Sequence, residues 1–185
     1  RYYHLVLLAE NNQGYSNLMK IVSKGFVDGY YYRPRVDMEV LEQYHEGIIA
    51  LSACLAGEVQ RYLTRGMYEE AKETALKYER CFGKGNFFLE LQDHGIAEQA
   101  QVNQQLLRMH QELGIDLVAT NDVHYTYEKD GNHGRCCECS GISVFRDGWA
   151  YHGNGHAGVR RHANVIKAKR PGFLKPYPRK LAFHW

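Results

Sequence analysis

Ile115-Asp116-Leu117-Val118-Ala119-Thr120-Asn121-Asp122-Val123-His124-Tyr125 is the stretch that decides the fold. Its first half has the apolar run of a buried strand, and its second half delivers an Asp-x-His pair straight off that strand. Side chains alternate faces along a strand, so Asp122 and His124 project the same way. A carboxylate and an imidazole together at a strand end can share one metal ion or one phosphate-bound water. The plainer alternative is a polar loop that happens to follow a core strand.

Working outward, three more strand-like runs alternate with helices. Tyr3 to Glu10 is the first strand, followed by a turn at Asn11-Asn12-Gln13-Gly14. Tyr15 to Lys24 has Leu18, Ile21 and Val22 on one helical face, and Met38 to Tyr44 is a short helix. Gly47 to Cys54 is continuously apolar and predicts a central strand. Helices are predicted over Gly57 to Arg65 and Tyr68 to Phe82, the second stopped by Gly83 and Gly85. Phe87 to Asp93 is the third strand, Glu98 to Leu113 a helix stopped by Gly114, and Ile115 to Asn121 the fourth strand. Strands alternating with helices of this length imply a parallel α/β sheet or barrel of βα units.

In such folds functional groups gather at the carboxyl ends of the strands. Cys54 follows the second strand, Asp93 and His94 the third, and Asp122 and His124 the fourth, while His4 lies within the first. Taken singly, Cys54 reads as a small buried hydrophobe, His4 as a hydrogen-bonded core or rim histidine, and His94 as a loop-lining or capping group. Their coincidence at strand ends argues for part of a metal cluster, with His94 as a further rim candidate. The segment Tyr30-Tyr31-Tyr32-Arg33-Pro34-Arg35 offers aromatic faces and two guanidinium groups. Tyr32, Arg33 and Arg35 are therefore weak candidates for contact with a nucleic-acid backbone or a stacked base. The plainer alternative is a Tyr-rich loop packed on the barrel.

Composition divides the 185 residues in two. Residues 1–130 hold 13 Lys+Arg against 19 Asp+Glu, a charge of −6, whereas residues 131–185 hold 10 against 2, a charge of +8. Isolated Cys54 and Cys81 suit a reducing cytoplasm. No apolar run approaches the about 18 residues that cross a bilayer, so no membrane partner is expected. Residues 131–185 contain 8 Gly, 5 His, 3 Pro and only two Leu, a composition too poor in apolar area to offset its ordering entropy.

Five segments carry a resemblance. They are His4 to Leu18 (HLVLLAENNQGYSNL), Tyr31 to Asp37 (YYRPRVD), Ala50 to Glu58 (ALSACLAGE), Phe88 to Gly95 (FLELQDHG) and Ala119 to Tyr125 (ATNDVHY). In this order, over residues 1 to about 130, they are similar to the PHP (polymerase and histidinol phosphatase) domain of bacterial C-family replicative polymerases, the DNA polymerase III alpha subunits. The resemblance implies a partial PHP domain over 1–130, a distorted (β/α)7 TIM-like barrel lacking its first strands. It implies a rim that binds divalent metal, zinc or manganese, with His4, Cys54, Asp122 and His124 in four of nine ligand positions. It implies metal-activated water attacking a phosphodiester, in some members a 3′–5′ exonuclease. For the parent protein it implies DNA-directed DNA synthesis with magnesium in the cytoplasm, with DNA, sliding clamp, clamp loader and proofreading subunit as partners. Two alternatives are a stand-alone PHP phosphoesterase and a non-catalytic PHP docking module.

Nothing here corresponds to the polymerase palm, so no residue of this chain is expected to catalyse primer extension. Arg1 to Glu10 reads as a strand cut in mid-protein, with the family's opening His-x-His upstream. After Asp130 the family pattern stops, and Gly131-Asn-His-Gly-Arg-Cys-Cys-Glu-Cys139 replaces the expected helix. Residues 131–185 read as an unrelated basic tail, frameshifted and disordered. A zinc knuckle on Cys136, Cys137, Cys139 and His152 or His156 is the rival, disfavoured because adjacent cysteines break the usual spacing. A basic nucleic-acid-binding tail is the third option. Resequencing the source DNA across the codons for Asp130 and Gly131 is expected to reveal one inserted or deleted base whose correction restores the helix. An unaltered reading frame would make the tail a genuine fusion.

Overall fold

The computed structural model describes residues 2–122, together with the backbone of residues 142–145 and 180–184. The element order is β1 (Val6–Ala9), α1 (Asn12–Val27), α2 (Met38–Gln43), β2 (Ile48–Leu51), α3 (Glu58–Leu63), α4 (Tyr68–Phe82), β3 (Phe87–Leu91), α5 (Ala97–Leu113), β4 (Leu117–Ala119), β5 (Ile142–Phe145) and β6 (Lys180–His184). The strands form one mixed sheet in the order β4-β3-β2-β1-β6-β5. Among the described residues this is an open sheet with two edges, not a closed barrel.

β2, β3 and β4 are parallel neighbours, as βα units require. β1 departs from the all-parallel expectation and pairs antiparallel with β2, Val6 opposite Leu51 and Ala9 opposite Ile48. The reason is local. The turn after β1 is pinned to the turn before β2, with the Glu10 N–H donating to the Gly47 carbonyl at 2.9 Å. The chain leaves β1 and re-enters the sheet at the same end, so α1 and α2 form an excursion and not a crossover.

The start of α1 shows why. Asn11, expected in a turn, is the helix N-cap, its side chain accepting from the Gly14 N–H at 2.9 Å. Gly14 is buried directly on Gly47, and a Cβ at position 14 would lie 1.8 Å from the Gly47 carbonyl oxygen. One turn later buried Asn17 donates to the Glu46 carbonyl at 2.9 Å. The Asn-Asn-Gln-Gly-Tyr-Ser-Asn run is therefore a docking surface for the β2 approach.

Strand alternation divides the core between two faces. Leu7, Ile48, Ala50, Phe87 and Leu89 pack against Leu18, Ile21, Val59, Ala75, Phe82, Val102 and Leu106 of the helices. Val6, Ile49, Leu51, Ala53 and Phe88 form a smaller cluster on the other face. Tyr78 reaches from α4 to Glu58, its hydroxyl donating at 2.8 Å, and burial followed by the neighbouring carboxylate pushes its pKa far up. Cys81 belongs to the helix-side core, and burial pushes its thiol up to about 11.

A tail without regular structure was the expectation for residues 131–185, and two segments depart from it. β6 pairs antiparallel with β1, and β5 with β6. The exposed backbone edge of β1 supplies the reason, since unpaired N–H and C=O groups template a further strand. The Asp130–Gly131 junction, the candidate knuckle residues Cys136, Cys137, Cys139, His152 and His156, and His124 lie outside the described residues.

Gly14→Ala is expected to lower unfolding free energy by about 1–3 kcal/mol, the usual cost of overpacking, measurable by denaturant titration. Cys81 keeps its proton in the folded state to higher pH than in the unfolded state. Its contribution to stability is thus complete below pH 9, the ordinary thiol value, and is lost as pH rises toward 11. Mass-mapped alkylation at pH 9 is expected to label Cys81 slowly in the native protein and rapidly in urea.

Candidate metal centre

The site is built around two residues fifty positions apart. His4 lies not within β1, as expected, but two residues before it. It forms an isolated parallel bridge to Gly57, with its N–H donating to the Ala56 carbonyl at 3.1 Å. Cys54 sits in the turn between β2 and α3, closed by the Gly57 N–H on the Cys54 carbonyl at 2.8 Å. The His4 Nδ1 and Cys54 Sγ atoms are 3.5 Å apart. A tetrahedral ion with ordinary Zn–N and Zn–S bonds holds its nitrogen and sulfur ligands about 3.5 Å apart, so this donor pair fits half of such a shell.

The Cys54 turn is held in an uncommon shape. Ala53 has φ of +65°, a left-handed conformation that few non-glycine residues adopt. Its N–H donates to a Glu90 carboxylate oxygen at 3.0 Å, and its carbonyl accepts from Gln60 Nε2 at 3.0 Å. The other Glu90 oxygen accepts from Gln92 Nε2 at 3.0 Å and from the Thr120 hydroxyl. The Glu90 N–H donates to Ser52 Oγ at 2.8 Å, and Ser52 Oγ also accepts from Gln60 Nε2 at 2.6 Å. Glu90 and Gln60 are only 4% and 2% exposed, so these bonds operate away from water. A cavity of about 10 Å3, room for about one water, lies behind Cys54 and is lined by Ala53, Gln60, Glu90, Gln92 and Gln99.

Sequence reasoning missed Glu90 and Gln60. The signal was present in Phe87-Phe88-Leu89-Glu90-Leu91, where one charge interrupts a buried strand. A carboxylate is seldom fully buried unless it is paired or hydrogen-bonded, so such a position points to a network.

His94 occupies the loop after β3, and its contacts match the capping alternative. Its N–H donates to Gln99 Oε1 at 2.9 Å, Gln99 Nε2 lies 2.9 Å from its Nδ1, and its Nε2 lies 2.8 Å from the Asn121 carbonyl oxygen. With Nδ1 accepting, Nε2 carries the proton and donates to Asn121. One ring nitrogen thereby engages α5 and the other the segment after β4. The next residue, Asp122, is partly buried with φ of +45°. Among the described residues no third His, Cys, Asp or Glu joins His4 and Cys54 in a three-ligand group.

Tyr32, Arg33 and Arg35 stand apart in the loop between α1 and α2. Tyr30, Tyr31 and Tyr32 are 60%, 64% and 83% exposed, so the expectation of a loop packed on the barrel does not hold. No helix among the described residues is long and apolar enough to cross a membrane.

Comparison with known proteins shows the family of the chain. The PHP domain family matches residues 1–94. The DNA polymerase III subunit alpha of Treponema pallidum is 51% identical over 130 residues, which are 70% of this chain and 11% of that protein. The subunit of the same name from Deinococcus radiodurans is 48% identical over 128 residues, 69% of this chain and 10% of that one. That of Thermus aquaticus is 39% identical over 129 residues, 70% and 10% respectively. The chain thus spans about a tenth of the length of these curated relatives. With half its length matched by the domain and the motif segments in family order, the chain belongs to the PHP domain family.

Proposed function

We propose that this chain is the PHP region of a bacterial DNA polymerase III alpha subunit and that the region is a metal-dependent phosphodiesterase. Identity of 51% to a protein of that name supports the first part. The second rests on one observation, the 3.5 Å approach of His4 Nδ1 to Cys54 Sγ across fifty residues of sequence. His4 and Cys54 would hold zinc or manganese, with Asp122 and His124 completing this chain's share of the ligands. When bound, divalent ions supply an activated water and charge neutralisation for phosphodiester hydrolysis in the 3′–5′ sense. Glu90 and Gln60 orient the Cys54 turn, and His94 orients the strand end that carries Asp122. Such partners outside the ligand set fix ligand direction and tune affinity.

The whole protein would carry out DNA-directed DNA synthesis in the cytoplasm with magnesium. It would act on DNA together with the sliding clamp, clamp loader and proofreading subunit. The stand-alone phosphoesterase alternative loses ground because the relatives above are all polymerase subunits.

Elemental analysis of the full-length protein is expected to find bound zinc or manganese. His4→Ala and Cys54→Ala are each expected to weaken metal binding by more than about tenfold, since ligand loss should exceed the cost of disturbing its supports. Cys54→Ser is expected to weaken zinc more than manganese, because the thiolate is the softer ligand. Full-length protein that takes up neither metal would refute the phosphodiesterase reading and support a docking module.

A further inference from the structure

The exposed Tyr-Arg loop is a built feature. Its base is pinched shut, because a Cβ on Gly29 would lie 1.8 Å from the Arg35 carbonyl oxygen. Its tip is a tight turn closed by the Tyr31 N–H on the Arg33 carbonyl at 3.1 Å. Tyr32 stands at the apex with φ of +60°, a conformation costly for an aromatic residue. Chain strain is thus combined with three consecutive exposed tyrosines, an arrangement that folding alone does not favour.

The flanking carboxylates are engaged elsewhere. Asp28 is tied to Lys24 at 2.8 Å, and the Asp37 side chain caps α2 through the Val40 N–H at 3.1 Å. Among the described residues neither Arg33 nor Arg35 has a carboxylate partner. The Arg35 guanidinium lies 5.0 Å from the Tyr31 ring centroid, and that of Arg33 lies 6.0 Å from the Tyr2 ring centroid. Through the second contact the tip meets Tyr2, two residues before His4 in the chain.

We propose that this tip is a clasp for single-stranded nucleic acid, with Tyr31 and Tyr32 stacking on unpaired bases and Arg33 and Arg35 meeting the phosphates. Aromatic faces interleaved with guanidinium groups suit a strand whose bases are free to stack, whereas a duplex hides them. Preorganisation by the pinched base lowers the ordering cost of binding. The clasp's role, feeding a strand end to the rim, rests on the phosphodiesterase reading. Its binding does not.

The test is photocrosslinking on the full-length protein, with metal chelated by EDTA. An oligodeoxythymidylate carrying 5-iododeoxyuridine near its 3′ end is irradiated and the adducts are mapped by mass spectrometry. An adduct on Tyr31 or Tyr32 is expected, displaced by unlabelled single strand and poorly by duplex. Tyr32→Ala combined with Arg33→Ala is expected to reduce the tip adduct roughly tenfold, while adducts elsewhere in the protein persist and report an intact fold. Adducts that map only elsewhere, or equal competition by duplex, would overturn the proposal. Hydrolysis is switched off throughout, so this result is independent of whether the rim binds metal. Metal content is likewise independent of the crosslink.

Discussion

Glu90 brings a carboxylate into the interior of an apolar strand, and three strand ends are arranged around it. Its oxygens accept from Ala53 after β2, from Gln92 after β3 and from Thr120 after β4. Taking an ionised carboxylate out of water is costly unless such donors replace its hydration. Here each donor is also a geometric instruction. The Ala53 N–H meets the carboxylate where β2 ends, and the left-handed turn at Ala53 aims its carbonyl at Gln60. The strain of that turn, of order 1–3 kcal/mol for a non-glycine residue, is offset by the hydrogen bonds that hold it on both sides.

This constraint propagates to the chemistry. The Ser52–Gly57 turn carries Cys54, and its far end bridges to His4. Shifting Ala53 would move the Cys54 sulfur relative to the His4 imidazole. A second clamp acts on the neighbouring strand end. His94 spans Gln99 and Asn121, so the residue before Asp122 is fixed by an imidazole whose tautomer is set by its partners. Among the described residues, Glu90 and His94 are hydrogen-bonded across neighbouring strand ends, while His4 and Cys54 approach each other.

Helices were legible because their signals are local. Tyr68–Phe82 is bounded by Gly83, and Leu113 by Gly114 in a left-handed cap, so one-dimensional stop signals were enough. Strands were overextended in sequence, since apolar runs continue past the last ladder bond. Tyr3 to Glu10 shrank to Val6–Ala9, which left His4 outside the strand. The antiparallel β1 was not legible, because it depends on Gly14 meeting Gly47 across thirty-three residues. Cys54 and His4 were both read from the sequence as rim candidates, but their direct approach was not. Proximity of residues 4 and 54 is a property of sheet register. The sequence left Tyr30–Tyr32 open between packing on the barrel and an exposed contact surface, because tyrosine serves equally well in a core and on a binding surface.

The two faces of the sheet explain how a polar site coexists with a small core. The helix-side face contains the larger apolar cluster, closed by α1, α3, α4 and α5. The opposite face has a compact group of Val6, Ile49, Leu51, Ala53 and Phe88, and Glu90 follows Phe88 at the two-residue spacing that keeps it on that face. On that face the polar network begins past this smaller cluster, where β2 has ended and its backbone donors become available. Substitutions at the rim act on hydrogen bonds, while the larger helix-side cluster is left in place. That separation allows the charged and strained residues of the rim and tip to be kept without emptying the core that carries them.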